Sequence, residues 1–429
     1  MSVSVSRAGV RTLAENVAAL YGVHFASYLL PLITLPFLAR TLEPAGWGMV
    51  AVAQSLGQYL GFIVEYGFEY SATREAARLR GQREQLAELL SGILGAKILL
   101  VVAAICAAVC GARWIPAFQQ NAGLVWMGIF AGLAQGLNVL WYFQGLERMR
   151  LVASVDIAGR IIATAGIFAL VRRPADGWIV LALSGGVSLF STLMMTALAH
   201  SETGFRIPTF GLALQAAARG WTMFLFRAST GLFTTANVFL LALFAPASVV
   251  GWFAGAEKIS KASWSLLWPL TRALFPRMSH LVHTRAPEAR ATARASFKLM
   301  LGGGIVTGLI LFLFAPLLVN SLLGREYIPA VAILRILSVL PPVVALNSFL
   351  CIHYMLPMGM DAEVNKVVLG AGMLNLVLAL LFAPVYGQWA VSWSVVFAET
   401  FVLFGLWRAV RRSRWLLGSP AETLGVSEA

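Results

Sequence analysis

The sequence predicts an all-α integral membrane protein of about twelve transmembrane helices, in two six-helix bundles related by a pseudo-two-fold along the membrane normal. Three observations predict it. The 429-residue chain is 59% hydrophobic and only 12% charged, about half the charged fraction of an ordinary soluble domain. Apolar stretches near the roughly 20 residues that cross a hydrocarbon core of about 30 Å fill it almost end to end. A short pattern also recurs half a chain apart.

The apolar stretches run over 16–38, 46–66, 88–110, 121–143, 152–171, 178–199, 220–243, 250–273, 299–319, 330–351, 366–384 and 389–408. The gaps between them are too short for a folded soluble domain. The first stretch is too long for a signal-peptide core and is not followed by a small-residue cleavage site, so it reads as a retained helix. Prolines fall inside several spans: Pro31 and Pro36 in the first, Pro269 in the eighth, Pro341 and Pro342 in the tenth. Each removes a backbone donor and bends its helix. Residues 71–90, with a break at Gly81, and the Ala/Arg-rich residues 276–298 read as helices lying at the membrane interface. Residues 200–219 carry Gly204, Pro208 and Gly211 and form the hinge between halves, with a short surface helix from Leu212 to Arg219.

Charge gives the orientation. The net charge is +13. Alternate gaps hold 20 Lys/Arg, including Arg74, Arg78, Arg80, Arg83, Arg290, Arg411 and Arg412, whereas the other gaps hold five: Arg40, Arg113, Arg172, Arg173 and Arg325. By the positive-inside rule the richer side is cytoplasmic. Both termini then lie in the cytoplasm and the number of spans is even. The basic surplus is a topology signal with some attraction to anionic lipid, not a nucleic-acid footprint.

The recurring pattern is Leu38-Ala-Arg-Thr-Leu-Glu-Pro-Ala-Gly-Trp-Gly-Met-Val-Ala51 after the first span and Leu241-Ala-Leu-Phe-Ala-Pro-Ala-Ser-Val-Val-Gly-Trp-Phe-Ala254 after the seventh. Each copy ends an apolar helix, turns at Pro-Ala and enters the next helix through Gly and Trp. Six spans per copy keep the two copies in one orientation. The expected division is an N-terminal bundle over 1–205 and a C-terminal bundle with a short cytoplasmic tail over 206–429.

The chemistry to explain is the charge inside the spans. A basic side chain at bilayer depth costs roughly 3 kcal/mol on insertion scales and usually faces water or a partner. At about 100° per residue, Lys258 and Lys261 share one face of the eighth span, and Arg272 continues that stripe to the cytoplasmic end about 21 Å away. Arg227, Thr230 and Thr234 form a matching stripe on the seventh span, with Asn237 near its edge. Two basic, hydroxyl-bearing faces suggest a vestibule for an anion. The competing reading is that Glu257 neutralises the ladder and that Arg272 snorkels. Asp156 and Arg160 stand at i and i+4 and can pair with each other. Lys97 is placed to pair with Glu65 or Glu69, Glu399 is a mid-span carboxyl suited to a coupling ion or a basic partner, and His24 is either a proton carrier or a hydrogen-bonded core residue; with Thr230 and Thr234, these three are additional cavity or coupling candidates.

No enzyme signature is found. The sequence has no Walker motif, no zinc motif and no Gly-x-Ser-x-Gly. Cys106, Cys110 and Cys351 lie in or beside apolar spans, in no disulfide or metal pattern. The short outer loops oppose an integral-membrane glycosyltransferase or polymerase. No cofactor is expected.

The stretch Tyr28-Leu-Leu-Pro-Leu-Ile-Thr-Leu-Pro-Phe-Leu-Ala-Arg40, with Pro44-Ala-Gly-Trp-Gly48, Ala53-Gln54, Glu65-Tyr-Gly-Phe68 and Ser71-Ala-Thr-Arg-Glu75, resembles the opening of the Wzx-type O-antigen and exopolysaccharide flippases. These belong to the multidrug/oligosaccharidyl-lipid/polysaccharide exporter superfamily. Trp141-Tyr-Phe-Gln-Gly-Leu-Glu-Arg-Met149 and Ala273-Leu-Phe-Pro-Arg-Met-Ser279 resemble later segments of the same family, and Lys97 falls where it often has a lysine. His24 and Glu65 depart from the glutamine and aspartate common at those places. The resemblance implies a V of two bundles, with the first, second, seventh and eighth helices lining a central cavity. It implies as substrate a polyprenyl-diphosphate-linked oligosaccharide that meets Arg227, Lys258, Lys261 and Arg272, moved by alternating access across a bacterial cytoplasmic membrane. A polysaccharide polymerase and chain-length machinery would be further partners, besides membrane lipid; nucleic acid would not. A multidrug-type exporter is the runner-up, set back by the basic cavity. A peptidoglycan-precursor flippase is set back by a family span count of fourteen.

Overall fold

The computed structural model describes residues 7–114, 116–265 and 286–412. Every regular element among the described residues is helical. A bilayer favours this, because a helix satisfies its backbone polar groups internally. Nine helices among the described residues are long and apolar enough to cross a membrane. By its contacts the chain divides into two units, Met1–Gly231 with Ala245–Gly251, and Leu232–Phe244 with Trp252–Ala429.

In the first unit, α1 (Arg7–Glu65) contains both the first and second expected spans, joined across a kink at Glu43 with φ 56° and ψ 171°. Pro44 follows at once, and a proline disfavours the helical conformation of the residue before it. The Pro-Ala turn read from the sequence is therefore this kink. Next come α2 (Phe68–Arg78) and α3 (Arg83–Gly111), separated by Gly81 at φ 86°. The expected break at Gly81 is present, but the basic segment after it is the first turn of α3 and not a separate interfacial helix. α4 (Pro116–Gly136) is interrupted at Asn121, whose Oδ1 accepts the Leu124 amide at 3.1 Å and caps the longer part. α5 (Leu140–Gly145), α6 (Met149–Leu170), α7 (Gly177–Thr203) and α8 (Phe210–Thr234) complete the unit's main helices. The surface helix expected over 212–219 is the beginning of α8.

Glycines set how closely α1 and α4 approach. A methyl group on Gly57 would overlap the Gly128 carbonyl, one on Gly132 would overlap the Gly57 carbonyl, and one on Gly136 would lie 2.6 Å from the Gly61 oxygen. Lipid tails are as apolar as leucine, so helices in a bilayer associate through close backbone packing at small residues. Large apolar side chains face outward instead: Ile98, Val102 and Val109 of α3 are exposed while Gly92, Ala96 and Ala104 are buried. At one end of this unit Tyr66, Phe68, Trp141, Tyr142 and Phe143 form an aromatic core, and Phe224 of α8 stacks on Tyr66 at 4.5 Å. Arg80 donates to the Gly145 carbonyl at 2.8 Å and Thr73 to the Trp141 carbonyl at 3.3 Å. These bonds fix the Trp-Tyr-Phe-Gln-Gly segment against α2.

The second unit comprises α9 (Asn237–Ala242), most of α10 (Ala247–Ser265), α11 (Ala286–Leu313), α12 (Ala315–Leu322), α13 (Ala330–Leu337), α14 (Leu340–Ser348), α15 (Asp361–Tyr386) and α16 (Gln388–Arg412). The tenth expected span is not one straight helix. Pro341 and Pro342 occupy the first turn of α14, where a missing amide costs least, and Phe349–Met355 forms a wide π turn. Lys298 and its basic neighbour Arg294 belong to α11, which runs on into the ninth span. On α15, Ala371, Gly372, Asn375, Ala379 and Ala383 are buried, while Met373, Val377 and Leu381 are exposed. Trp389, Trp393 and Trp407 are exposed along α16, and the Arg411 guanidinium lies 3.7 Å from the Trp407 ring centroid. Tryptophan and arginine of this kind suit the membrane–water boundary.

Candidate functional site

The expected cationic stripe divides between the units. Arg227 lies on α8 in the first unit, and Lys258 and Lys261 lie on α10 in the second. The side chains of Arg227, Thr230, Thr234 and His24 are outside the described ones, and Arg272 and Pro269 are outside the described residues. On α10, Lys258 and Lys261 are one turn apart and neither is fully exposed. Lys261 Nζ lies 3.0 Å from Glu257 Oε1, an i,i+4 pair in which the lysine is 38% and the glutamate 14% exposed. Glu257 also lies within electrostatic range of Lys258. The neutralising role weighed for Glu257 is therefore present at Lys261. Two lysines and one glutamate thus share this turn of α10, and both lysines have interactions beyond that pair. Ser260 donates across to the Leu337 carbonyl of α13 at 3.3 Å, and Ser265 donates back to the Ala262 carbonyl at 2.7 Å.

Lys97 has its expected acidic neighbours, and it also bonds to backbone. It is fully buried, and its ammonium donates to the carbonyls of Gly136 at 2.8 Å and Asn138 at 2.5 Å. These are orphan acceptors at the end of α4, where the helix dipole is negative. Glu65 and Glu69 act on the lysine electrostatically, but its described hydrogen bonds go to backbone. Asp156 and Arg160 pair as the spacing predicts, at 2.7 Å.

Glu399 does have a partner in the second unit. Asn347 Nδ2 donates to Glu399 Oε2 at 2.7 Å and to the Glu399 carbonyl at 3.0 Å. Two further polar pairs bridge helices there. Asn375 Nδ2 donates to Asn237 Oδ1 at 2.8 Å with both side chains buried, and Ser296 Oγ lies 2.8 Å from His353 Nδ1 in the π turn. Asn347, Asn375, Ser296 and His353 were not singled out by sequence. The available signal was an amide or imidazole within an apolar span, which must find a partner away from lipid. No group of three or more His, Cys, Asp or Glu able to hold a metal occurs among the described residues.

These observations define a class: a multi-pass helical membrane protein whose spans carry bonded amide, carboxyl and ammonium groups. The chain belongs to the polysaccharide biosynthesis protein family, whose sequence profile matches residues 13–282. Two curated relatives share the name "Putative O-antigen transporter". One, from Escherichia coli strain K12, is 28% identical over 409 residues, covering 95% of this chain and 98% of its own. The other, from Shigella dysenteriae, is 28% identical over 414 residues, covering 93% and 100%. Among solved structures, the fold is similar to the lipid II flippase MurJ in an inward closed conformation, with a TM-score of 0.65, 10% identity and coverage of 94% of this chain and 87% of that one. It is also similar to a eukaryotic MATE transporter, with a TM-score of 0.55, 13% identity and coverage of 96% and 97%.

Proposed function

We propose that this protein is a flippase that carries polyprenyl-diphosphate-linked oligosaccharide units across a bacterial cytoplasmic membrane by alternating access, for O-antigen or exopolysaccharide synthesis. The observation that carries this is full-length similarity, within the polysaccharide biosynthesis family, to relatives named as O-antigen transporters. The MurJ-like fold supports a lipid-linked substrate, because it is a fold in which one such substrate is moved. The reading includes twelve spans in two six-helix bundles, 1–205 and 206–429, with both termini cytoplasmic. A polysaccharide polymerase and chain-length machinery would work beside it.

In this reading Arg227, Lys258, Lys261 and Arg272 meet the diphosphate. Arginine and lysine are its natural partners, and arginine adds bidentate geometry. Lys258 and Lys261 stand one turn apart on α10, a spacing suited to two contacts with one diphosphate. Further cavity or coupling candidates are His24, Lys97, Thr230, Thr234 and Glu399. Lys97 also hydrogen-bonds the carbonyls of Gly136 and Asn138.

The test is transport itself. Purified protein in vesicles should expose a lipid-linked oligosaccharide, added to one leaflet, to a sugar-modifying probe on the other side. Replacing Lys258 and Lys261 together with alanine should reduce that exposure without lowering the amount of folded protein. Wild-type vesicles no faster than protein-free ones would reject the function. Undiminished transport by the double variant would reject the site.

A further inference from the structure

A cavity in the first unit takes no part in the cationic stripe. It exists because α8 meets its neighbours at two separate places, each made close by glycine. A Cβ on Gly92 of α3 would lie 3.2 Å from the Leu212 carbonyl oxygen, and one on Gly95 would lie 3.2 Å from the Ala213 Cβ. About two turns further along α8, a Cβ on Gly220 would lie 3.1 Å from the Tyr66 ring. Between these contacts a cavity of about 240 Å³ remains among α2, α3 and α8. It is several times larger than one water molecule needs. It is also smaller than the roughly 300–1,000 Å³ of pockets that take drug-sized ligands. A compact polar group fits such a space, and an oligosaccharide does not.

The polar lining is of mixed sign. Ser71 and Glu75 come from α2, Gln85 and Glu88 from α3, and Gln215 and Arg219 from α8. Arg219 Nη1 lies 3.4 Å from Glu75 Oε1, and Arg206 Nη1 lies 3.2 Å from Glu88 Oε2. Both pairs are longer than the roughly 2.7–2.9 Å of a tight charged contact. All four side chains are more than a third exposed, so the pairs contribute little and exchange readily for another partner. Helical position shows what the cavity opens onto. Leu212, Gln215, Ala216 and Arg219 share one face of α8 at about 100° per residue. Phe210, Leu214 and Trp221 fall on the opposite face, and each is more than half exposed. A helix with one such apolar face beds into the bilayer boundary. The cavity therefore stands at the depth of lipid headgroups.

We propose that this cavity binds the headgroup of a phospholipid bearing a primary amine, a phosphoethanolamine group. The ammonium donates to the carboxylates of Glu75 and Glu88. The phosphodiester accepts from the Arg219 guanidinium and from the amide of Gln215. The same lining discriminates against other headgroups. An anionic one meets two carboxylates, and a choline one carries methyl groups where the carboxylates need N–H donors. The bound lipid ties α8 to α2 and α3 at the end of the unit that carries Arg74, Arg78 and Arg83, which the charge bias assigns to the cytoplasmic leaflet. Such a lipid is a resident of the fold and not cargo, so its binding does not depend on transport.

The test is thermal unfolding of the full-length protein, purified in detergent, stripped of lipid, and supplied with phosphatidylethanolamine, phosphatidylcholine or phosphatidylglycerol. The ethanolamine lipid should raise the melting temperature by about 5 °C, the shift expected for a unit of this size from a ligand at a hundred times its Kd. The other two lipids should raise it clearly less. Glu75→Gln combined with Glu88→Gln should erase the difference between lipids. Ala216→Phe fills the cavity while leaving every charge in place, and should erase it as well; it carries the test if the double variant does not fold. Equal shifts from the three lipids would overturn the site, as would an ethanolamine preference that survives in either folded variant. An equal shift from soluble phosphoethanolamine would overturn the lipid as occupant.

Discussion

Replacing Lys97 with methionine separates a structural lysine from a transport lysine. Methionine keeps much of the length and volume of the side chain but removes every donor. The carbonyls of Gly136 and Asn138 then lose their ammonium partner at the buried end of α4. A hydrogen bond to a charged group contributes about 1.5–3 kcal/mol, so two lost bonds set the gross effect near 3–6 kcal/mol. Removing the buried ammonium also removes its desolvation penalty, which offsets several kcal/mol in such sites. The helix dipole and the nearby Glu65 and Glu69 favour the cation and limit that offset. A net loss of about 2–3 kcal/mol is expected, which for a unit of this size lowers the melting temperature by roughly 5–10 °C. The assay is thermal unfolding of the solubilised protein, with transport measured below the transition. Lys97→Arg should recover only part of the loss, because a planar guanidinium fits a site shaped for a compact ammonium poorly. If Lys97→Met melted like wild type yet did not transport, the lysine would be acting on substrate or coupling ion, and the capping argument would be wrong.

Gly132→Leu should destabilise the first unit by about 3 kcal/mol, at the upper end of overpacking costs, whereas Gly186→Leu, which meets open space, should not; monodispersity after extraction reads both. Asn347→Leu should cost about 1–3 kcal/mol by leaving Glu399 without its amide donor, while Glu399→Gln keeps an acceptor there and should melt within a degree or two of wild type, as thermal unfolding will show. Glu257→Gln removes the acidic member of a partly exposed pair with Lys261, so stability should change by less than about 1 kcal/mol while the apparent KM for an anionic lipid-linked substrate falls; a rise in KM would count against Lys261 as a diphosphate contact.

Sequence and structure agree where one physical rule decides the outcome. Span length and hydropathy depend on bilayer thickness alone, so the helices of the described residues were legible, as were the Gly81 break and the Asp156–Arg160 pair. The kink before Pro44 was legible because proline constrains its predecessor locally. The broken tenth span was half legible: Pro341 and Pro342 announce a bend, but the π turn depends on what packs against residues 349–355. Partner choice was the hard part. Lys97 faces acidic groups placed at the end of the second span, and electrostatics alone points to them. Its hydrogen bonds go to carbonyls that become available only when α4 ends beside α3, a tertiary event without a sequence mark. The same holds for Asn375, whose partner Asn237 is 138 residues away.

Within the first unit, the recurring Pro-Ala pattern brings Gly48 and Gly251 against each other's backbone. Two Pro-Ala turns followed by glycine are common enough in membrane proteins to recur by accident. An accidental pair has no reason to place both glycines in each other's path, at one spacing, with each pressed on the other copy's carbonyl. Selection for packing alone would be met by one glycine, since a single small residue suffices for close approach of two backbones. Two glycines related by exchange mean that both surfaces are fitted to the same contact.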